Sequence, residues 1–411
     1  MPTHSTSTAA VSKDAEAATA GFGTTFSLTG PEHGSVDSSA SVLLSLKEED
    51  DLANIRLIET TGGKNSPIPS QVEIDASPRL LWIARGELPA GAQRMYRLDR
   101  GEPTPAASTV LVDTTHPENV TIRVGDARAA VQRRSCDSAG RHRRVALAQR
   151  THSSRLDAVP DQVVTDRFPP DHAHQSGLFL AYVKTEFEGR TPDFWNLLGG
   201  TGRVRSKGVT RTTDGPIFAE FQAVHEHVDQ SASPEKVALN EIWSVRVWNI
   251  GGREAGYWIC DLTSRVECAT DRPLHLPQYH YGGMALRGAR QWTAGIAKFT
   301  TSEGLDRIAG NHTRPWWCDL SGPAGDATAG LLFITHPDNF RAPEPLRIHP
   351  TMPYMVYTPS FLGEWDLQPG EPHVSRYRFV FHDGDLPPET ANRLQRQFAA
   401  PLQAQVIDVE M

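Results

Sequence analysis

The chain has little cysteine, and none of it is paired in sequence. Cys136, Cys260, Cys268 and Cys318 form no C-x-x-C unit, which excludes the usual zinc-finger frames and gives no reason to expect a disulfide framework. Walker, G-x-G-x-x-G, G-x-S-x-G, H-E-x-x-H and EF-hand signatures are all missing. Phosphoryl transfer, dinucleotide redox chemistry and serine hydrolysis therefore have no positive support, and no nucleotide cofactor is expected. No run approaches the ~18 apolar residues of a membrane span. The first twenty residues lack the apolar centre of a secretory signal, so the expectation is a soluble, cytoplasmic protein. Excess positive charge is missing too. The net charge is −8 with both signs spread throughout, which argues against nucleic acid or an anionic membrane as partner.

What is present favours β-structure. Glycine and proline number 33 and 30, as befits a loop-rich β protein. At 411 residues the chain can bury a large core; length alone suggests two or three domains, although a large β architecture can absorb most of it as one unit. Residues 1–40 are rich in Ser, Thr, Ala and Gly without apolar period and read as a flexible tail. From 41 to 130 short β-type runs alternate with turn signals such as Leu88-Pro-Ala-Gly, giving a small antiparallel unit. Residues 131–165 break the pattern. Seven arginines fall between Arg133 and Arg155 with no interleaved aromatics, which reads as a solvated, irregular segment rather than a strand-binding patch.

The remainder, 166–411, reads as the main β-sandwich. Eight of the nine tryptophans lie there, and strand patterns follow one another closely. In 240–249, Trp243, Val245 and Val247 share one face; in 375–381, Tyr377, Phe379 and Phe381 do. One helix is expected after Asp385, started by Pro387-Pro388-Glu389 and striped by Ala391, Leu394 and Phe398. The fold class expected is thus all-β, a large antiparallel sandwich with a smaller N-terminal β unit and a short C-terminal helix.

The stretch 166–196 organises this part. Asp171-His172-Ala173-His174-Gln175 precedes the apolar run Gly177–Val183, and Asp193-Phe194-Trp195-Asn196 closes it. In extended backbone two histidines spaced i, i+2 face the same way, at the mouth of a buried strand. Four further clusters combine polar and aromatic residues: 278–283 around His280 and Tyr281, 311–319 around Trp316-Trp317, 336–341 with His336, Asn339 and Arg341, and 347–350 with His349. Each has a plainer explanation as core packing or strand capping. Together they suit a sugar, whose apolar ring faces stack on Trp and Tyr while Asn, Arg, His and Asp bind hydroxyls. His172 and His174 with a third ligand would also suit a divalent metal. Among Asp171, Glu186, Glu188, Asp193, Glu241 and Asp261 the sequence picks out no catalytic pair.

The segments 169–189 (PPDHAHQSGLFLAYVKTEFEG), 193–196 (DFWN), 281–288 (YGGMALRG), 336–350 (HPDNFRAPEPLRIHP) and 367–384 (LQPGEPHVSRYRFVFHDG) resemble a bacterial family labelled PmoA-like. The label suggests a membrane methane monooxygenase subunit, which a chain without a membrane span contradicts. The resemblance implies a large β-sandwich similar at its end to galactose-mutarotase-like proteins, and a setting in carbohydrate catabolism. This sequence departs from the family at 131–160, where an apolar-aromatic segment with a His-Pro gives way to arginines.

The expectation is therefore an enzyme that cleaves a glycosidic bond, by hydrolysis or elimination, in a saccharide that can already be oxidised. His172, His174 and His336 would be catalytic. Gln175, Trp195, Asn196, His280, Tyr281, Asn339, Arg341 and His349 would bind substrate. The partner would be a small saccharide or glycoside, with homo-oligomerisation left open. A sugar epimerase or mutarotase, a non-catalytic saccharide-binding protein and, last, a metal-dependent oxygenase are the alternatives.

Overall fold

The computed structural model describes residues 19–45, 52–75, 77–115, 119–125, 127–132, 146–151, 162–166, 168–252 and 254–407. The chain is built mainly from antiparallel sheets, with one α-helix, Pro388–Ala399, among the described residues. It divides into two compact units. The first holds the chain up to Pro105 together with the segment from Leu402 onward; the second runs from Ala106 to Pro401.

The first unit contains a five-stranded and a four-stranded sheet. Phe26, Trp82 and Tyr96, all fully buried, pack with ring centroids 5.0 to 5.8 Å apart at its core. Strands Thr25–Thr29 and Ser35–Leu43 belong to it, so the flexible tail expected over 1–40 is corrected at least from Thr25 on. Residues 1–18 lie outside the described residues. Two further boundaries differ. The final strands Leu402–Gln403 and Gln405–Val406 pair with Ser35–Leu43 and Thr25–Thr29, not with the sandwich that precedes them. Strands Val110–Asp113 and Asn119–Val124 belong to the second unit.

An eight-stranded antiparallel sheet dominates the second unit. Its order is Gly202–Thr213, Phe218–Asp229, Lys236–Gly252, Tyr257–Cys268, His373–Asp383, Ala327–Thr335, Trp317–Ala324 and Lys298–Thr301. The alternation read in the sequence places Trp243, Val245, Val247, Tyr377, Phe379 and Phe381 in one buried cluster. A second layer supplies the facing residues. Part comes from a five-stranded sheet that includes Val110–Asp113 and Asn119–Val124, part from the four-stranded sheet Leu178–Ala181, Gly283–Arg287, Tyr354–Tyr357 and Leu346–Ile348. Phe333 of the large sheet meets Tyr357 of the small one edge-on at 4.9 Å. Burying such a phenylalanine is worth about 2 to 3 kcal/mol. The five-stranded sheet also includes Ala146–Thr151, so the segment expected to be irregular over 131–165 forms a strand there; 133–145 and 152–161 lie outside the described residues. The helix carries the expected stripe of Ala391, Leu394 and Phe398, all buried. No helix among the described residues is long and apolar enough to cross a membrane.

Gly283 sets how closely two strands of the small sheet approach. Its φ is +149°, and a Cβ there would collide with the backbone carbonyl of Tyr357. Gly189, at φ +74°, has open space around it. Gly283→Ala is expected to lower stability by about 3 kcal/mol, and Gly189→Ala by about 1 kcal/mol from backbone strain alone. Urea unfolding of both variants measures the difference.

Candidate functional site on the outer face of the small sheet

Strand alternation gives the four-stranded sheet two unlike faces. Leu178, Leu180, Met284, Leu286, Met355, Tyr357, Leu346 and Ile348 point into the sandwich. Across the strands Phe179 aligns with Ala285, Ala285 with Val356, and Val356 with Arg347, while Arg287 aligns with Tyr354. Phe179, Ala285, Tyr354 and Val356 of this second set pack with Trp195, Tyr279 and Tyr281 into an aromatic cluster on the other face. It is here that the sequence-predicted residues gather.

The two histidines sit in a turn and not in extended backbone. His172 N–H donates to the Pro169 carbonyl, Gln175 N–H to the His172 carbonyl, and Phe168 N–H to the Gln175 carbonyl, at 3.1, 2.9 and 2.8 Å. The turn nevertheless brings the rings to 5.4 Å from one another. Gly177, at φ +55°, lets the chain turn into the strand while its N–H reaches the Asp166 carbonyl at 2.7 Å. Arg287, 4% exposed, anchors the turn from the sheet. Its Nη1 donates to Gln175 Oε1 at 2.9 Å, and its Nη2 to the Asp171 carboxylate at 3.2 and 3.3 Å. Asp171 Oδ2 lies 3.1 Å from His172 Nδ1. Partial burial pushes the Asp171 carboxyl up, but the His172 hydrogen bond and the Arg287 guanidinium hold it below its ordinary value. An ionised Asp171 keeps the proton of His172 on Nδ1, which leaves Nε2 as the atom that takes or gives a proton.

His349 stands 6.2 Å from His172, ring to ring. Its Nδ1 accepts the N–H groups of Thr351 and Met352 at 3.2 and 3.1 Å, so Nε2 carries its hydrogen. Burial, then the charges of Arg347, His172, Arg287 and Arg307, push His349 down to about 4. His280 and His312 are lowered as well, by desolvation first and by Arg347 second. Arg347 lies 5.7 Å from the Tyr281 ring centre, and Tyr281 is 4.4 Å from His280 and 5.1 Å from Trp195.

Not every predicted residue reaches this place in the role expected. Trp195 is 5% exposed and wedged among Phe179, Tyr281, Tyr354 and His174, so it supports the site instead of offering an open stacking face. The partly open rings are Tyr279 and Tyr281. Gln175 is buried beneath the turn as the acceptor for Arg287. Asn196 is exposed, but its side chain donates to Asp193, whose carboxylate also caps the Trp195 and Asn196 N–H groups.

Three predicted residues serve elsewhere. His336 packs edge-on against Phe398 of the helix at 4.9 Å and accepts the Asp338 N–H. Asn339 spends both ends of its amide on Thr335, Glu344 and the Arg376 backbone. Arg341 ties down the carbonyls of Pro359, Gly363 and Glu364. A histidine or asparagine at the end of a sheet strand has backbone to satisfy, and here that need absorbs them.

The sequence reading missed Arg287, whose signal was a lone charge at the end of an otherwise apolar strand. It also missed a buried histidine–carboxylate hydrogen bond. His227 Nε2 lies 2.9 Å from Glu241 Oε2, while Ser264 and the Trp243 indole donate to Oε1. Neither ring nitrogen of adjacent His225 has a partner among the described residues. Of the other carboxylates weighed in the sequence, Glu188 pairs with Arg190 and Lys236, and Asp261 with Arg378. Among the described residues no three His, Cys, Asp or Glu side chains are grouped to hold a metal ion, so His172 and His174 find no third ligand of that kind.

Fold and site together define the chain as a β-sandwich protein with a histidine-rich, arginine-backed aromatic cluster on one sheet face. Residues 156–396, more than half of the chain, match a family of unknown function (DUF6807), and the protein belongs to that family. No curated protein matches it.

Buried titratable groups make stability acid-sensitive. Burial pushes His225 down to about 4 from its ordinary 6.5. Burial pushes Glu241 up, yet the His227 hydrogen bond, the neighbouring imidazoles and Ser264 hold it down to about 2 from its ordinary 4.5. On acidification the unfolded chain therefore takes up protons first. The contribution of these groups is complete above about pH 6.5; the share of His225 is lost between 6.5 and 4, and that of Glu241 between 4.5 and 2. Urea midpoints measured from pH 7.5 to 3 should fall once the pH drops below about 6.5. Glu241→Gln should be less stable at pH 7 and flatter below pH 4.5.

Proposed function

We propose that this protein is a carbohydrate-active enzyme that cleaves a glycosidic bond, by hydrolysis or elimination, with His172 as its acid/base. The observation that carries this reading is the alignment of Arg287, Asp171 and His172. A buried guanidinium fixes a carboxylate, and the carboxylate fixes the tautomer of a half-open imidazole. Such a carboxylate also stabilises the imidazolium formed when Nε2 takes a proton. Tyr279 and Tyr281 offer ring faces on which the C–H face of a sugar packs. His349, 6.2 Å from His172 ring to ring and held neutral, would donate its Nε2–H to a substrate oxygen. His174, seated edge-on against Trp195 at 4.9 Å, is the second candidate for proton transfer. The resemblance to the PmoA-like family, whose members sit among sugar oxidoreductases and isomerases, is an associational reason in the same direction.

The test is turnover of aryl glycosides and disaccharides, neutral and oxidised at the ring, with full product analysis. His172→Gln is expected to lower kcat about 10² to 10⁴-fold, with its unfolding midpoint retained. Asp171→Asn should lower kcat less and leave the protein folded. Unchanged turnover in His172→Gln would remove this reading. Products with the glycosidic bond intact and only a ring stereocentre altered would identify an epimerase or mutarotase instead.

A further inference from the structure

Several arginines of the second unit answer their charge with a carboxylate, while Arg307, Arg314 and Arg341 spend their donors on backbone carbonyls. Arg287 pairs with Asp171, Arg378 with Asp261, Arg246 with Glu220 and Arg190 with Asp229. Arg347 does not. Its Nη1 donates to Asn311 Oδ1 at 3.0 Å and to the Ile348 carbonyl, both uncharged, and its buried Nε has no partner among the described residues. No carboxylate of the described residues lies within ion-pair distance of it. The position is not a random surface one. Arg347 projects from the site-bearing face of the small sheet, in register with Val356, and sits over Tyr281. The ionisable groups that sense its charge are three imidazoles, His280, His312 and His349, each kept neutral and so a hydrogen-bonding group rather than a competing cation. Lys184 adds a second positive charge, 5.6 Å from the Tyr279 ring centre.

A half-buried guanidinium with unused donors beside the partly open Tyr281 ring suits a carboxylate, which matches its planar geometry and its single charge. We propose that Arg347 anchors an anionic subsite, and that the saccharide taken by this site carries a carboxylate, as an acidic sugar does. This rests on the carbohydrate reading of the site and names its substrate class. The acidic sugar would lie with its ring toward Tyr281 and its carboxylate on Arg347, which leaves the rest of the molecule extending toward His349 and His172.

The experiment is calorimetric titration of the full-length protein with methyl β-D-glucuronide and methyl β-D-glucoside, which differ at the carboxylate. The wild type should bind the glucuronide at least about tenfold more tightly, and added salt should shrink that preference without changing glucoside binding. Arg347→Gln should bring the two affinities together while Arg347→Lys keeps part of the preference. Equal affinities in the wild type, a preference indifferent to salt, or a preference that survives Arg347→Gln would each overturn the proposal; the first two hold even if Arg347→Gln does not fold. Failure of the subsite and failure of the cleavage reading are separable. Arg347-dependent glucuronide binding without bond cleavage keeps the subsite and removes the cleavage reading. Glycoside cleavage by a wild type that binds glucuronide and glucoside equally does the reverse.

Discussion

Burying a guanidinium in a β-sandwich costs several kcal/mol unless its charge and its donors are answered, and at Arg287 the answer comes from the turn that carries the two histidines. Asp171 supplies the charge and Gln175 a second acceptor, so residues 171–175 are pinned to the end of the strand Gly283–Arg287. Asp171 in turn orients His172. The position of the catalytic candidate is thus set from below, by an electrostatic requirement of the core. Removing Arg287 would release the turn and leave Asp171 without its cation, so the site and the packing beneath it are not separable.

Much of the architecture was legible because β-strands advertise themselves by alternation. The inward positions of 240–249 and 375–381 are those read from the sequence, and the helix stripe of Ala391, Leu394 and Phe398 is buried as its period required. The strands before residue 40 escaped because Ser, Thr and Gly hide alternation: in Ser35–Leu43 serines stand where larger residues would mark a face. The pairing of Leu402–Gln403 with Ser35–Leu43 is a contact across the length of the chain, which local pattern cannot carry.

For the site, sequence found the right neighbourhoods but not always the right roles. His172, His174, His280, Tyr281 and His349 come together on one sheet face because clusters distant in sequence flank strands that neighbour in space. His336, Asn339 and Arg341 carry the same residue types into a different task, since loops that leave a large sheet have backbone groups to satisfy. Composition alone does not separate these two uses. The distinction lies in what each polar atom already touches. Asn339 and Arg341 are occupied, whereas Arg347 has donors to spare.

The return of residues 402–406 to the first unit has a consequence for its sheet edges. Thr25–Thr29 and Ser35–Leu43 each have a strand neighbour on one side from the first hundred residues, and their other strand neighbours are Gln405–Val406 and Leu402–Gln403. Without the segment that follows the nearly three hundred residues of the second unit, these stretches of both strands would be open sheet edges. Unpaired edges are templates for association with other chains. A chain cut before Leu402 keeps those two edges unpaired there, and residues 402–406 act as the clasp that covers them.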